Sequence, residues 1–272
     1  MEREQDDNRW ALPDIAIAIN WADERKRQKI AVALDPLGEY AQNIEQANDS
    51  AESYLATTKA IADSACAATL AVKLSALGLN FDRSVAESHL KRILAYAEQT
   101  KILIEIDIEG TPTVPAVCEI AQKYAGAGYR LVLALQAYLD RTPADLQQSL
   151  RAGLKIRLVK GAYCGDTDDF GEIQQRFVQL FKLLQASRQP FDVGTHDPVL
   201  LEKMTELLDL QTRDLVCFGF LKGLADQSKL DMTAGGLKTA EYVPFGNNRR
   251  AYISRRQAYL KRLQKLGLRA AP

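Results

Sequence analysis

Eight strand-like segments alternate with long helical patterns along almost the whole 272-residue chain, and no other feature restricts the possible fold as much. The strand-like runs fall at 30–35, 68–77, 102–107, 130–137, 155–160, 191–195, 215–221 and 241–245. Between them, apolar residues recur at helical spacing over 44–64, 84–99, 112–126, 142–152, 170–187 and 198–210. About eight strand–helix units in this length predict an α/β protein, a single (β/α)8 barrel of the TIM type. A doubly wound open sheet is the alternative. It is disfavoured because no Gly-x-Gly-x-x-Gly follows the first strand, and Gly126-Ala127-Gly128 precedes a strand and reads as a turn. No linker composition interrupts the series, so residues 1–29 are expected to form a short N-terminal helical arm and 30–272 the barrel. The apolar patch at 15–21 reads as a short helix packed on that barrel.

Charge and composition remove several classes of function. Lys plus Arg equals Asp plus Glu at 35 each, so no overall field draws the chain to nucleic acid. Cys66, Cys118, Cys164 and Cys217 are far apart and form no CxxC pair, the pattern of reduced thiols in a cytoplasmic protein. His89 and His196 are too few and too separated for a metal cluster, so no metal is expected. The acidic, polar start lacks the pattern of a leader, and no apolar run reaches the roughly 18 residues of a membrane helix.

A barrel of this kind works at the rim where its strands end. Those ends carry Asp35 and Glu39, Lys73 and Ser75, Asp107 and Glu109, Gln136 and Tyr138, Arg157, Lys160 and Tyr163, Thr195 and His196, and Tyr242. The seventh end, Phe218 to Gly223, is bland. Within the fifth strand, alternation places Arg157 and Val159 on one face and Leu158 and Lys160 on the other, and Gly161 then lets the backbone approach a ligand. The last helical pattern puts Tyr252, Arg255, Arg256, Tyr259, Leu260 and Leu263 on one face. An arginine pair inside such a stripe suits a carboxylate or phosphate if the helix lies over the carboxyl-terminal mouth, and a solvated charge run is the plain alternative. Lys73 or Lys160 at a strand end also fits a Schiff-base aldolase. A non-catalytic amino-acid-binding barrel fits the arginine helix alone. Asp107 and Glu109 lie too close along one strand to oppose each other across a sugar, and a lone His196 is more often a hydrogen-bonded core residue than a ligand.

Together these segments resemble the proline dehydrogenase family. The resemblance rests on Lys73-Leu74-Ser75-Ala76-Leu77, Gln136-Ala137-Tyr138, Arg157 to Tyr163, Thr195-His196-Asp197, Tyr242-Val243-Pro244-Phe245-Gly246 and Tyr252-x-x-Arg255-Arg256, in that order, and runs from about residue 33 to 256. It implies a short single-function form that oxidises L-proline to Δ1-pyrroline-5-carboxylate, the first step of proline catabolism to glutamate. Hydride would pass to FAD, and the electrons to a quinone or another acceptor reached by transient contact with a membrane surface. The product would go to a pyrroline-5-carboxylate dehydrogenase on a separate protein. By the same resemblance Arg255 and Arg256 hold the substrate carboxylate, Lys73 adds positive charge, Asp107 orients it, and Tyr242 and Tyr252 pack around the ring. Glu39 pairs with Arg255 and closes the pocket. Gln136, Arg157, Lys160, Gly161, Ala162, Tyr163, Thr195 and His196 contact the flavin. Hydroxyproline is the substrate alternative, although Tyr242 would crowd an added hydroxyl. The chain departs from the family at Cys164-Gly165-Asp166 and at Cys217 to Leu221, where polar contacts from the seventh strand are expected to be missing.

Overall fold

In a computed structural model, which describes residues 7–64, 66–163, 165–265 and 267–271, eight parallel strands close into one barrel in sequence order. The strands are β1 (Ile30–Pro36), β2 (Ala68–Val72), β3 (Ile104–Ile106), β4 (Leu131–Gln136), β5 (Lys155–Val159), β6 (Phe191–Gly194), β7 (Val216–Leu221) and β8 (Lys238–Phe245). The helices are α1 (Ile15–Arg27), α2 (Ile44–Ser64), α3 (Arg83–Thr100), α4 (Val114–Gly126), α5 (Thr142–Arg151), α6 (Phe170–Ser187), α7 (Pro198–Leu207), α8 (Asp226–Ala234) and α9 (Arg249–Lys265). Closure is made by β1 against β8, in register from Ile30↔Thr239 to Pro36↔Phe245. Carboxylate caps start several helices at the rim: Asp169 accepts from the Glu172 amide at 2.7 Å and Asp197 from that of Val199 at 3.0 Å, satisfying donors that a first turn leaves open.

Two elements depart from the sequence expectation. The second strand stops at Val72, and Leu74 to Leu79 are buried or half-buried in turns, where Gly78 takes φ +105°. Helix α8 is absent from the sequence reading because only Lys229 is buried on it, so it has no apolar stripe to detect.

Helix α9 crosses the carboxyl-terminal mouth, as expected, and so leaves the outer ring one helix short beside β8. Helix α1 packs against β1 and β8 and fills that place. A buried ionic knot fixes it: Glu241, pointing outward from β8, accepts from Trp21 Nε1 at 2.5 Å and Arg25 Nε at 2.9 Å and pairs with the buried Lys229.

The barrel is packed on its outside and open within. Along β5, β6 and β7 the positions facing the helices, such as Leu158, Val193 and Phe218, are buried, while alternate positions facing the lumen keep partial solvent access. Many lumen residues are small, among them Ala31, Ala33, Ala134, Gly194, Gly219 and Ala240. They line a cavity of about 990 Å³ that runs from the mouth to the first residues of the strands. Stacked layers of bulky aliphatics normally fill such a barrel. Here charged pairs occupy part of that volume: Lys155 with Asp192 at 2.6 Å, and Arg157 with Glu105 and Asp107.

Candidate active site

The cavity opens at the mouth, where every residue to which the resemblance gives a role lines it except Glu39, which pairs there with Arg255; of the other strand-end residues, Ser75 and Glu109 do not line it. Lys73, at the end of β2, donates to Asp35 at 2.6 Å and to the Tyr242 hydroxyl at 3.0 Å, and lies 3.1 Å from Asp107. Tyr242 in turn donates to Asp107 Oδ2 at 2.5 Å, and Arg157 pairs with the other oxygen of Asp107. Burial alone would raise the Asp107 pKa, but Lys73 and Arg157 together hold it below the usual carboxylate value. Burial opposes the charge on Lys73 as well, and Asp35, Tyr242 and Asp107 outweigh it, so its pKa is raised. A Schiff-base nucleophile needs an unprotonated amine, so Lys73 is unsuited to the aldolase reading. It serves as a fixed cation.

On α9, Tyr252 and Arg256 are buried and Arg255 is half-buried. The solvated-face alternative therefore fails. Arg256 Nε and the Tyr252 hydroxyl are buried with no hydrogen-bond partner, and both residues line the cavity. A buried donor in this state favours an incoming acceptor. Arg255 differs in being already paired with Glu39.

At the end of β5, Arg157 and Val159 face the lumen as expected. Lys160 lies beyond the strand and pairs with Asp197 at 2.8 Å, so it belongs to the rim and not to the opposite face of β5. Gly161 has φ +128°, and a Cβ there would sit 1.6 Å from Tyr138 Cε1. Gly161→Ala is therefore expected to displace the Tyr138 ring and distort the 161–163 segment, lowering stability by roughly 1–3 kcal/mol, the usual cost of such strain. Urea denaturation checks this. Ala162, Tyr163 and Thr195 also line the cavity; Cys164 lies outside the described residues.

His196 does not stand alone. Its Nε2 accepts from the Leu221 amide at 2.9 Å, so the seventh strand end is not bland: it supplies a backbone donor that fixes this ring. Burial, followed by the charges of Arg256, Lys229 and Lys160, pushes the imidazole pKa down to about 3. The unfolded chain takes up this proton near pH 6.5 and the folded one only near 3. The contribution of His196 to stability is thus complete above pH 6.5 and lost as pH falls toward 3. His196→Gln is expected to flatten the acid limb of the unfolding free energy by up to roughly 1.4 kcal/mol per pH unit within that window, as urea melts at stepped pH would show.

Three contributors escaped the reading of site roles. Glu105 and Asp35 were assigned no part, yet they neutralise Arg157 and Lys73, and Asp197 anchors Lys160 while capping α7. In-phase alternation of Glu105 with Asp107 was the available signal. Glu109 is buried behind the rim, where Ser75 donates to it at 2.6 Å and burial pushes its carboxyl up to about 7.

A closed (β/α)8 barrel whose mouth holds a buried arginine with an unpartnered Nε suits a small ligand that carries an anionic group. Its relatives narrow that class. The family model described as proline dehydrogenase matches residues 18–176, and the chain belongs to that family of oxidoreductases. It is similar to proline dehydrogenase 1 of Bacillus subtilis subsp. natto, 29% identical over 251 residues that cover 90% of this chain and 83% of the relative. Proline dehydrogenase of Deinococcus radiodurans is 26% identical over 256 residues, covering 90% and 82%. Among solved structures, proline utilization A from Bdellovibrio bacteriovorus, inactivated by N-propargylglycine, superposes with a TM-score of 0.82 at 16% identity. That likeness covers 92% of this chain and 32% of the other, so the chain spans about a third of that protein and the match speaks for the fold.

Proposed function

We propose that this protein oxidises L-proline to Δ1-pyrroline-5-carboxylate with FAD bound in the mouth of the barrel. The observation that carries the reading is the buried, unpartnered Arg256 Nε facing the cavity beside Tyr252. A cavity of about 990 Å³ has room for a substrate and a large cofactor, being at the upper end of the roughly 300–1,000 Å³ of ligand pockets. The approach at Gly161 and the cations Arg157 and Lys160 suit a flavin with its phosphates.

FAD supplies the hydride acceptor. The chain supplies position and charge. Arg256, with Arg255 once the latter shares its pairing with Glu39, holds the carboxylate, and their charge favours loss of the amine proton that must precede or accompany hydride departure from the ring carbon beside nitrogen. Lys73, neutralised by Asp35 and Asp107, fixes the Tyr242 hydroxyl. Tyr242, held between Lys73 and Asp107, and Tyr252 confine the ring, so rate comes from fixed geometry more than from a strong base. Arg157, pinned by Glu105 and Asp107, places a permanent cation where negative charge accumulates. Among the described residues no helix is long and apolar enough to cross a membrane.

The test is the visible spectrum of FAD-loaded protein under anaerobic conditions. Bleaching of the flavin band by L-proline supports the reading. A bound flavin that proline leaves unbleached rejects the substrate, and failure to bind FAD rejects the cofactor.

A further inference from the structure

A buried hydrogen-bond chain runs around the rim through Ser75, Glu109 and Tyr138, none of which has an assigned role in substrate or cofactor binding. From one side, the Tyr40 amide donates to Ser75 Oγ at 3.0 Å, and Ser75 donates to Glu109 Oε1 at 2.6 Å through its hydroxyl and to Oε2 at 3.2 Å through its amide. From the other side, the Tyr163 amide donates to the Tyr138 hydroxyl at 2.9 Å, Tyr138 donates to Gln136 Oε1, and Gln136 Nε2 donates to the Glu109 carbonyl at 2.9 Å. Every donor on both arms points toward Glu109. Each hydroxyl in the chain accepts one bond and gives one, so none can turn without breaking its neighbour.

The two ends of this chain lie in the two segments that flank Arg255. Tyr40 follows Glu39, holds φ +53°, and precedes Ala41, whose amide is bonded to the Ser75 carbonyl at 3.0 Å. Residue 39 is the partner of Arg255. Tyr163 ends the segment that starts at Gly161, and Arg255 lies 6.0 Å from its ring. The ends thus meet again across the mouth at Arg255, and the rim chain closes a loop of contacts around the cavity.

We propose that Glu109 is a positioning residue whose hydrogen-bond chain ties the segment bearing Glu39 to the segment ending in Tyr163, so that the pairing of Glu39 with Arg255 is held in register with the opposite wall of the site. Its catalytic use rests on the proline reading given above; the mechanical link does not. The link makes closure over a substrate carboxylate depend on a hydroxyl that touches neither Glu39 nor Arg255.

Tyr138→Phe tests this, because it keeps the ring and deletes that hydroxyl on the flavin side alone. In the purified full chain, amide hydrogen exchange at Tyr40 and Ala41, across the rim, is expected to accelerate about tenfold. Ser75→Ala should do the same, and the double variant should add little to either single change, because both cut one chain. Exchange unchanged by Tyr138→Phe, or effects that simply add, would overturn the link. With FAD bound, dissociation of tetrahydro-2-furoate, the ether analogue of proline, should also speed up in Tyr138→Phe, by about fivefold. If exchange responds and the unmodified protein ignores both proline and the analogue, the link stands and the proline reading falls.

Discussion

Arg256→Met is expected to raise KM for L-proline by about 100-fold and to lower kcat far less. Methionine keeps most of the apolar stem that packs in α9 and removes the guanidinium. Losing one partner of a buried, charge-assisted contact costs roughly 2–5 kcal/mol, and each 1.4 kcal/mol is tenfold, so two orders of magnitude lie within the lower half of that span. The same change in the free protein removes a buried donor that has no partner, so the melting temperature should hold or rise. Opposite signs for binding and stability are the signature of a residue kept for its ligand. Steady-state kinetics and a thermal melt on one preparation check both, and a proline KM within threefold of the parent would remove Arg256 from the substrate site.

Arg157→Met should be the more disruptive change, in stability as well as in turnover. Its guanidinium neutralises Glu105 and Asp107 together, and breaking a buried pair by removing one partner typically costs about 3–5 kcal/mol. Asp107 retains Lys73 and Tyr242, whereas Glu105 retains, among the described residues, the Thr69 hydroxyl, so Glu105 carries most of the penalty. Adding Glu105→Gln should therefore recover much of the lost stability. On the proposed function it should not restore flavin reduction by proline, because the cation proposed to face the flavin is still missing. Urea denaturation separates the two effects; recovery of both by Glu105→Gln would mean that Arg157 matters only as a counter-ion.

The contrast between these arginines marks what the sequence discloses. Arg255 and Arg256 are legible because a helix repeats every 3.6 residues, and their neighbours on one face are aromatic and aliphatic. Arg157 stands out because an alternating strand rarely carries a charge facing inward. Its partner Glu105 is 52 residues away and becomes a neighbour only through the registers of β3 with β4 and β4 with β5, which no local pattern encodes. Segment 74–77 was read as strand because an apolar run has no period of its own; the structure uses it for buried turns. Helix α8 illustrates the opposite failure, a helix whose only buried residue is a lysine held by Glu241. His196 is hydrogen-bonded, as its plain reading has it, and also lines the cavity, while its donor from β7 depends on adjacency around the barrel.

The open lumen has a consequence for how such a protein changes over time. Because the strands are held together from their helix-facing side, enlarging Ala31 or Ala240, which keep solvent access, would fill space and not strain a packed core, where overpacking costs roughly 1–3 kcal/mol. Below its charged pairs the lumen is therefore free to vary as an outer surface is, and new side chains can be brought up from beneath without renegotiating the fold.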